Sequence, residues 1–103
     1  MQTVREHLMA ARARVEAGWC KYVLAEDAEG ESLGRFSHEI DWSRAACVCS
    51  SGALFSVDAG CGSPAYEALA KAVDSPIVSL WNDQSTKEEV LAGFDKAIAA
   101  QPN

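Results

Sequence analysis

The Cys and His residues of this 103-residue chain number six, and these residue types bind metal ions or act as nucleophiles and bases. They are Cys20, Cys47, Cys49, Cys61, His7 and His38. Structural zinc sites usually take their ligands in close pairs such as CxxC, which bend around the ion. The one close pair is Cys47 and Cys49, and in a helix these thiols would lie about 200° apart around the axis. Such thiols cannot share an ion, so we predict no metal and no cofactor; zinc would require a loop here.

A cysteine nucleophile is the second chemistry to consider, and it needs a lowered thiol pKa and a nearby base. Cys61 is the better-placed candidate, because it lies between two glycines just ahead of a helix start at Ser63-Pro64. There it can approach the positive end of a helix dipole. Cys49 is the other candidate, with His38 as its base, but its apolar neighbours are typical of a buried helix. Neither residue has the surroundings of a known class of thiol enzyme, so catalysis is the weaker hypothesis.

An acidic stretch begins at Glu26 and Asp27 and continues through Glu29 and Glu31. It lacks the alternating Asp or Asn ligands and the central glycine of an EF-hand loop. We interpret it as a solvated loop. The functional alternative is a contact patch for a basic partner.

Trp19, Trp81, Asn82 and Asp83 are the other candidate binding residues. Asn82 and Asp83 follow Trp81 directly, and we expect them to satisfy helix ends and fix a turn there. Trp19, Trp81 and Asp83 could then line a small pocket. No glycine-rich phosphate loop, Rossmann fingerprint or Ser-His-Asp ordering accompanies them.

The composition limits both the size of the fold and the class of partner. A chain of this length with 49% apolar residues indicates one domain, residues 1–103, with a single core. The net charge of −6 argues against nucleic acid, whose binding requires clustered Lys and Arg. No apolar run approaches the roughly 20 residues of a membrane span. The first residues form no signal region, so we expect a cytoplasmic protein with reduced thiols.

The elements that must position these side chains are predicted to be helices. Thr3-Val4-Arg5-Glu6 is a capping box, which predicts a first helix over about 4–17. Gly18 is expected to end it in the left-handed conformation. The stretch 20–36 changes pattern and predicts a short irregular hairpin or an ordered loop.

The most apolar stretch, 45–55, predicts a central helix that Asp41 caps and that ends near Gly60. Three further start signals follow it along the chain. They are Ser63-Pro64, Ser75-Pro76 and the second capping box Ser85-Thr86-Lys87-Glu88. Five helical segments joined by short links predict a mostly α fold, a small helical bundle.

Three short motifs carry a resemblance that covers the chain from about Val4 to Ile98. They are Gly18-Trp19-Cys20, Cys49-Ser50-Ser51-Gly52-Ala53-Leu54 and Trp81-Asn82-Asp83. In this order the motifs resemble an uncharacterised family of small bacterial and bacteriophage proteins, a domain of unknown function. The chain departs from that pattern in Val48 and in the extra Cys47 and Cys61. The resemblance implies an origin in phages or prophages and no established reaction.

The sequence therefore favours a small acidic, non-enzymatic protein-interaction module. The resemblance extends this to a phage or prophage accessory protein that binds or inhibits a host protein. The alternative is a small thiol-dependent enzyme or a metal-binding protein that uses Cys49 or Cys61. The expected partner is another protein, with no nucleic acid and no membrane. A monomer and a dimer are equally compatible with the pattern.

Overall fold

Five α-helices make up about half of the computed structural model, which describes residues 2–102. The helices are α1 (Val4–Ala17), α2 (Ser50–Ser56), α3 (Pro64–Ala72), α4 (Val78–Asp83) and α5 (Lys87–Ala99). The two short strands are β1 (Ala25–Glu26) and β2 (Cys47–Val48), and 3-10 turns lie at Ser37–Glu39 and Trp42–Arg44. The prediction of a mostly α bundle of about five helices is confirmed. Within the described residues, no helix is both long and apolar enough to span a membrane.

The start of α1 is the predicted capping box. Thr3 Oγ1 accepts a hydrogen bond from the Glu6 amide at 3.1 Å, and the Glu6 carboxylate accepts one from the Thr3 amide at 2.9 Å. The helix ends at Ala17 as predicted, but the predicted left-handed conformation of Gly18 is wrong, because its backbone is extended with φ −177°. Its carbonyl accepts a hydrogen bond from the Val48 amide at 2.9 Å, and this pairing requires an extended chain.

The central helix predicted between Asp41 and Gly60 is wrong in its first half. Asp41 caps only one 3-10 turn, where its Oδ1 accepts from the Ser43 amide at 3.1 Å. The chain then extends through β2, and α2 begins only at Ser50. Cys47 therefore lies on a strand, and Cys49 is the residue that caps α2. The separation of about 200° around a helix axis, which we expected for these two thiols, therefore does not apply.

Strand β2 is extended because its neighbours on both sides supply hydrogen bonds. On one side the Cys20 amide donates to the Val48 carbonyl at 3.1 Å, next to a parallel bridge between Trp19 and Val48. On the other side β1 pairs with it antiparallel, with Ala25 opposite Val48 and Glu26 opposite Cys47. A backbone that is paired from two sides satisfies its polar groups without forming a helix.

The chain after β1 makes the predicted hairpin-like loop. The Asp27 amide donates to the Glu31 carbonyl at 2.9 Å, and the Leu33 amide donates to the Ala25 carbonyl at 3.0 Å. Gly30 turns the chain in the left-handed conformation, with φ +83°. The loop thus lays residues 31–33 alongside β1.

The start of α3 is as predicted, and the starts of α4 and α5 are displaced along the chain. Ser63 Oγ caps α3 by accepting from the Tyr66 amide at 3.1 Å. Ser75 does not cap α4, because its hydroxyl donates to the Ile77 carbonyl at 3.1 Å instead. The first amide of α4, at Val78, donates to the Tyr66 hydroxyl at 3.3 Å. A side chain from α3 therefore takes over the cap.

The capping box of α5 lies one residue later than predicted. Thr86 Oγ1 accepts from the Glu89 amide at 3.2 Å, and the Glu89 carboxylate accepts from the Thr86 amide at 2.8 Å. The predicted cap, Ser85, is buried and donates its hydroxyl proton to the Trp81 carbonyl at 2.7 Å.

Helix α1 is the centre of the fold, because it contacts α2, α3, α5 and β2. The largest buried apolar side chains come from these elements and form one core. They include Leu8, Val15, Val48, Leu54, Leu69, Val90 and Phe94. This core holds three segments against one another: the loop after α1, the first residues of α2, and helix α4.

Candidate functional site

Asn82 is a fully buried polar side chain at the point where three segments of the fold meet. Its Oδ1 accepts hydrogen bonds from Trp19 Nε1 at 2.7 Å, from the Ser50 amide at 3.0 Å and from Ser50 Oγ at 2.6 Å. Its Nδ2 donates to the Cys20 carbonyl at 3.1 Å and to Asp83 Oδ1 at 3.4 Å. Asn82 therefore joins these segments from inside the protein and is not itself exposed to a partner.

The three sequence motifs supply these partners. Gly18 and Gly52 permit neighbouring backbone segments to approach closely. A Cβ added at Gly18 would overlap the carbonyl oxygen of Ala46, and a Cβ added at Gly52 would overlap that of Leu24. Both glycines therefore lie where one backbone touches another.

The Trp81 ring packs against α5. A Cβ added at Gly93 on α5 would come within 2.7 Å of the Trp81 ring, so the ring lies directly on that helix. Trp19 is half-buried, and the Lys21 ammonium lies over its ring in a cation–π contact, 5.5 Å from the ring centroid. Of the three residues predicted to line a pocket, Trp19, Trp81 and Asp83, only Asp83 lines the cavity described next.

A cavity of about 310 Å³ lies beside Asp83, between α4 and the segments on either side of β1. It is lined by Tyr22, Val23, Leu24, Ser32, Gly34, Arg35, Cys49, Ser79 and Asp83. Its volume is at the lower end of the range of about 300–1,000 Å³ for ligand pockets. Asp83 is half-buried, whereas Arg35 is exposed. The Asp83 carboxylate is therefore more enclosed than the Arg35 guanidinium.

Asp83 also fixes the wall of the cavity. Its Oδ1 accepts a hydrogen bond from the Tyr22 amide at 2.8 Å. Tyr22 has φ +73°, a left-handed conformation that is strained for a bulky residue. Its side chain is 75% exposed. The Asp83 carboxylate thus holds Tyr22 in a backbone conformation that presents an aromatic ring to solvent.

Cys49 reaches the cavity from the start of α2. Its Sγ accepts a hydrogen bond from the Gly52 amide at 3.3 Å, and the residue is only 3% exposed. Burial raises the pKa of the Cys49 thiol, and the charge of Asp83 raises it further. The thiol is therefore protonated at neutral pH, which is unfavourable for a nucleophile.

His38 and Cys61 lie elsewhere. His38 is exposed, its ring stacks on that of Phe36 at 5.8 Å, and it does not line the cavity that Cys49 reaches. Cys61 is exposed in the link before α3. The structure does not bring the suggested base to Cys49.

The acidic stretch divides into two environments. Asp27 Oδ1 accepts from the amides of Glu29 and Glu31, both at 3.0 Å, and its Oδ2 lies 3.7 Å from Arg44 Nη2. The Asp27 carboxylate therefore stabilises the turn that begins at Asp27 itself. Glu26 points to the cysteines: its Oε1 accepts from the Cys47 thiol at 3.4 Å.

Cys20, Glu26 and Cys47 form a cluster that the sequence pattern did not reveal. One ligand atom from each residue lies within 4.8 Å of the others. Burial raises the pKa of the Cys20 thiol well above its usual range, and the neighbouring Cys47 adds to this. Burial also raises the pKa of Cys47. The cluster depends on the pairing of β2 with Trp19 and β1, for which the sequence has no local signal.

The chain was compared with known families, proteins and structures. The model of a family of unknown function, DUF6197, matches residues 1–100. No curated protein and no solved structure matches the chain. Because the match covers nearly all of the sequence, the chain belongs to the family of unknown function DUF6197.

Proposed function

We propose that this protein is a non-enzymatic protein-interaction module that takes a basic side chain of a partner protein into the cavity beside Asp83. The observation that carries the proposal is the position of the Asp83 carboxylate. It is half-buried in the cavity wall, and its Oδ1 accepts from Tyr22 and Asn82. Among residues 2–102 no hydrogen bond is made to its Oδ2, and no buried side-chain oxygen lacks a partner. That oxygen is therefore accessible to an incoming donor.

The surroundings of the cavity suit the stem of a long basic side chain. Tyr22 lines the cavity and is 75% exposed, and Val23 and Leu24 line it as well. Lys and Arg carry an apolar stem and a charged head, so they match an apolar lining beside a half-buried carboxylate. Aromatic side chains are also enriched at protein interfaces.

The overall charge supports the same kind of partner. A net charge of −6 attracts a basic surface and speeds its association. A cytoplasmic location is part of the proposal, and it fits four free cysteines. We extend the proposal to a phage or prophage accessory role with a host protein as the partner, for which the support is the sequence resemblance.

Asp83→Asn tests the proposal directly, because the asparagine oxygen can still accept from the Tyr22 amide while the charge is lost. We expect the variant to bind a captured partner about tenfold more weakly, or about 1.4 kcal/mol. Glu88→Gln is the matched control, since Glu88 is exposed on α5 and loses the same charge.

Affinity capture identifies the partner. Calorimetry then measures the affinity of that partner for the wild type, for Asp83→Asn and for Glu88→Gln. Equal binding by the wild type and Asp83→Asn would contradict the proposed cavity. Equal weakening by both variants would point to net charge alone.

A thiol enzyme built on Cys49 or Cys61 is the weaker alternative. Burial keeps the Cys49 thiol protonated. Cys61 is exposed but does not line the cavity beside Asp83.

A further inference from the structure

Two thiols and a carboxylate converge on one side of the small sheet. Cys47 and Glu26 are direct partners across β1 and β2, and the Cys20 amide is bonded to the Val48 carbonyl beside them. The backbone therefore fixes all three positions without help from their side chains. Cys47 Sγ and Glu26 Oε1 are 3.4 Å apart, and the ligand atoms of all three residues lie within 4.8 Å of one another.

The geometry points to a binding site for one Zn²⁺ ion held by Cys20 Sγ, Cys47 Sγ and a Glu26 oxygen. Zinc lies about 2.3 Å from sulfur and about 2.0–2.2 Å from oxygen in tetrahedral sites. Ligand atoms around such an ion are therefore about 3.5–3.8 Å apart. Side-chain movements of about 1 Å bring the three atoms from their present spacing to that geometry.

The charge of the cluster favours a cation. Glu26 is half-buried, and its carboxylate accepts from the Cys47 thiol. Within the described residues it has no ion pair with Lys or Arg, whereas its neighbour Asp27 lies against Arg44. When zinc binds, each thiol releases its proton to solvent and forms one S–Zn bond. Two protons therefore leave for each ion bound.

The donor set selects the metal. Two thiolates and one carboxylate suit a borderline-soft ion such as Zn²⁺, whereas Mg²⁺ and Ca²⁺ prefer oxygen ligands alone. Cys47 and Glu26 are half-buried, so solvent can supply a fourth ligand. This site is separate from the proposed interaction at Asp83, and neither proposal depends on the other.

Cobalt is the probe that tests the site, because Co²⁺ bound to thiolates absorbs in the near ultraviolet and tetrahedral Co²⁺ absorbs in the visible. We expect reduced wild-type protein, titrated without oxygen, to take up one Co²⁺ per chain with both absorptions. Added Zn²⁺ should then displace the cobalt.

Variants assign the ligands. Glu26→Gln, which keeps the size of the side chain, should weaken Co²⁺ binding about tenfold or more. Cys47→Ser should lose about half of the thiolate absorption, since one of the two thiolates is removed. Cys61→Ser is the control and should titrate like the wild type. Circular dichroism of each metal-free variant shows whether its fold is intact.

Three results would overturn the site. The first is the absence of a saturable cobalt absorption in wild-type protein. The second is an absorption that survives both Glu26→Gln and Cys47→Ser but is lost in Cys61→Ser. The third is a Cys20–Cys47 disulfide, found by mass spectrometry, in protein isolated from cells under conditions that trap thiols.

Discussion

The indole nitrogen of Trp19 donates a 2.7 Å hydrogen bond to the buried Oδ1 of Asn82, 63 residues away in the chain. The same oxygen accepts from the amide and the hydroxyl of Ser50. One amide side chain on α4 therefore joins the loop after α1 to the start of α2. The cavity lies beside this junction, because Cys49 and Asp83, the neighbours of Ser50 and Asn82, line it.

Asn82→Ala should destabilise the protein strongly. The change leaves the Trp19 indole and the Ser50 amide and hydroxyl without their acceptor. Each unpaired buried group costs about 1–3 kcal/mol, so we expect the free energy of unfolding to fall by about 3 kcal/mol. Urea denaturation measures it, with Gln84→Ala on the exposed neighbour as control. A loss below about 1 kcal/mol would mean that water replaces the side chain at little cost.

Gly18→Ala should be much more damaging than Gly62→Ala. At Gly18 the new Cβ would overlap the carbonyl oxygen of Ala46, and both are backbone positions held by the pairing with β2. We expect a loss of about 3 kcal/mol or more, because overpacking against backbone cannot be relieved by a rotamer change. Gly62 has φ +86° and no atom within 4 Å of an added Cβ, so only about 1 kcal/mol of strain is expected. Thermal denaturation of both variants checks this, and equal losses would refute the tight approach at Gly18.

Only one thiol should react quickly with a maleimide in metal-free native protein. Cys61 is exposed, whereas burial raises the pKa of the other three thiols. Replacing Cys61 by Ser should slow the overall labelling about tenfold or more. Mass spectrometry of the labelled protein identifies the site. A second fast thiol at Cys49 would instead support the thiol-enzyme alternative.

Helix starts that are capped by a neighbouring side chain in the sequence could be predicted. Thr3 and Ser63 each bond an amide three residues ahead, so the starts of α1 and α3 depend only on neighbours in the chain. The cap of α4 is the Tyr66 hydroxyl, twelve residues before Val78, and no local pattern contains it.

The middle of the chain could not be predicted, because distant partners decide its structure. Cys47 and Val48 are extended since they pair with Glu26, Ala25 and Trp19. The prediction that Cys47 and Cys49 could not share one metal ion depended on a helix over both residues, and that helix is absent.

The sequence indicates Trp19, Asn82 and Asp83 as candidate residues. It does not indicate that Ser50 bonds to Asn82 or that the Tyr22 amide bonds to Asp83. The Tyr22 conformation and the convergence of Cys20 on Cys47 arise only when the segments pack together.

Photocrosslinking from position 22 tests the central claim, that the cavity beside Asp83 binds a protein partner. A benzophenone derivative of phenylalanine replaces Tyr22, which is 75% exposed, and Met9 on α1, which is 50% exposed, serves as the control position. We expect a crosslinked partner from position 22, with the attachment site beside a Lys or Arg of that partner, and a much weaker product when Asp83→Asn is added. Equal crosslinking from position 9, or none from position 22, would contradict the claim.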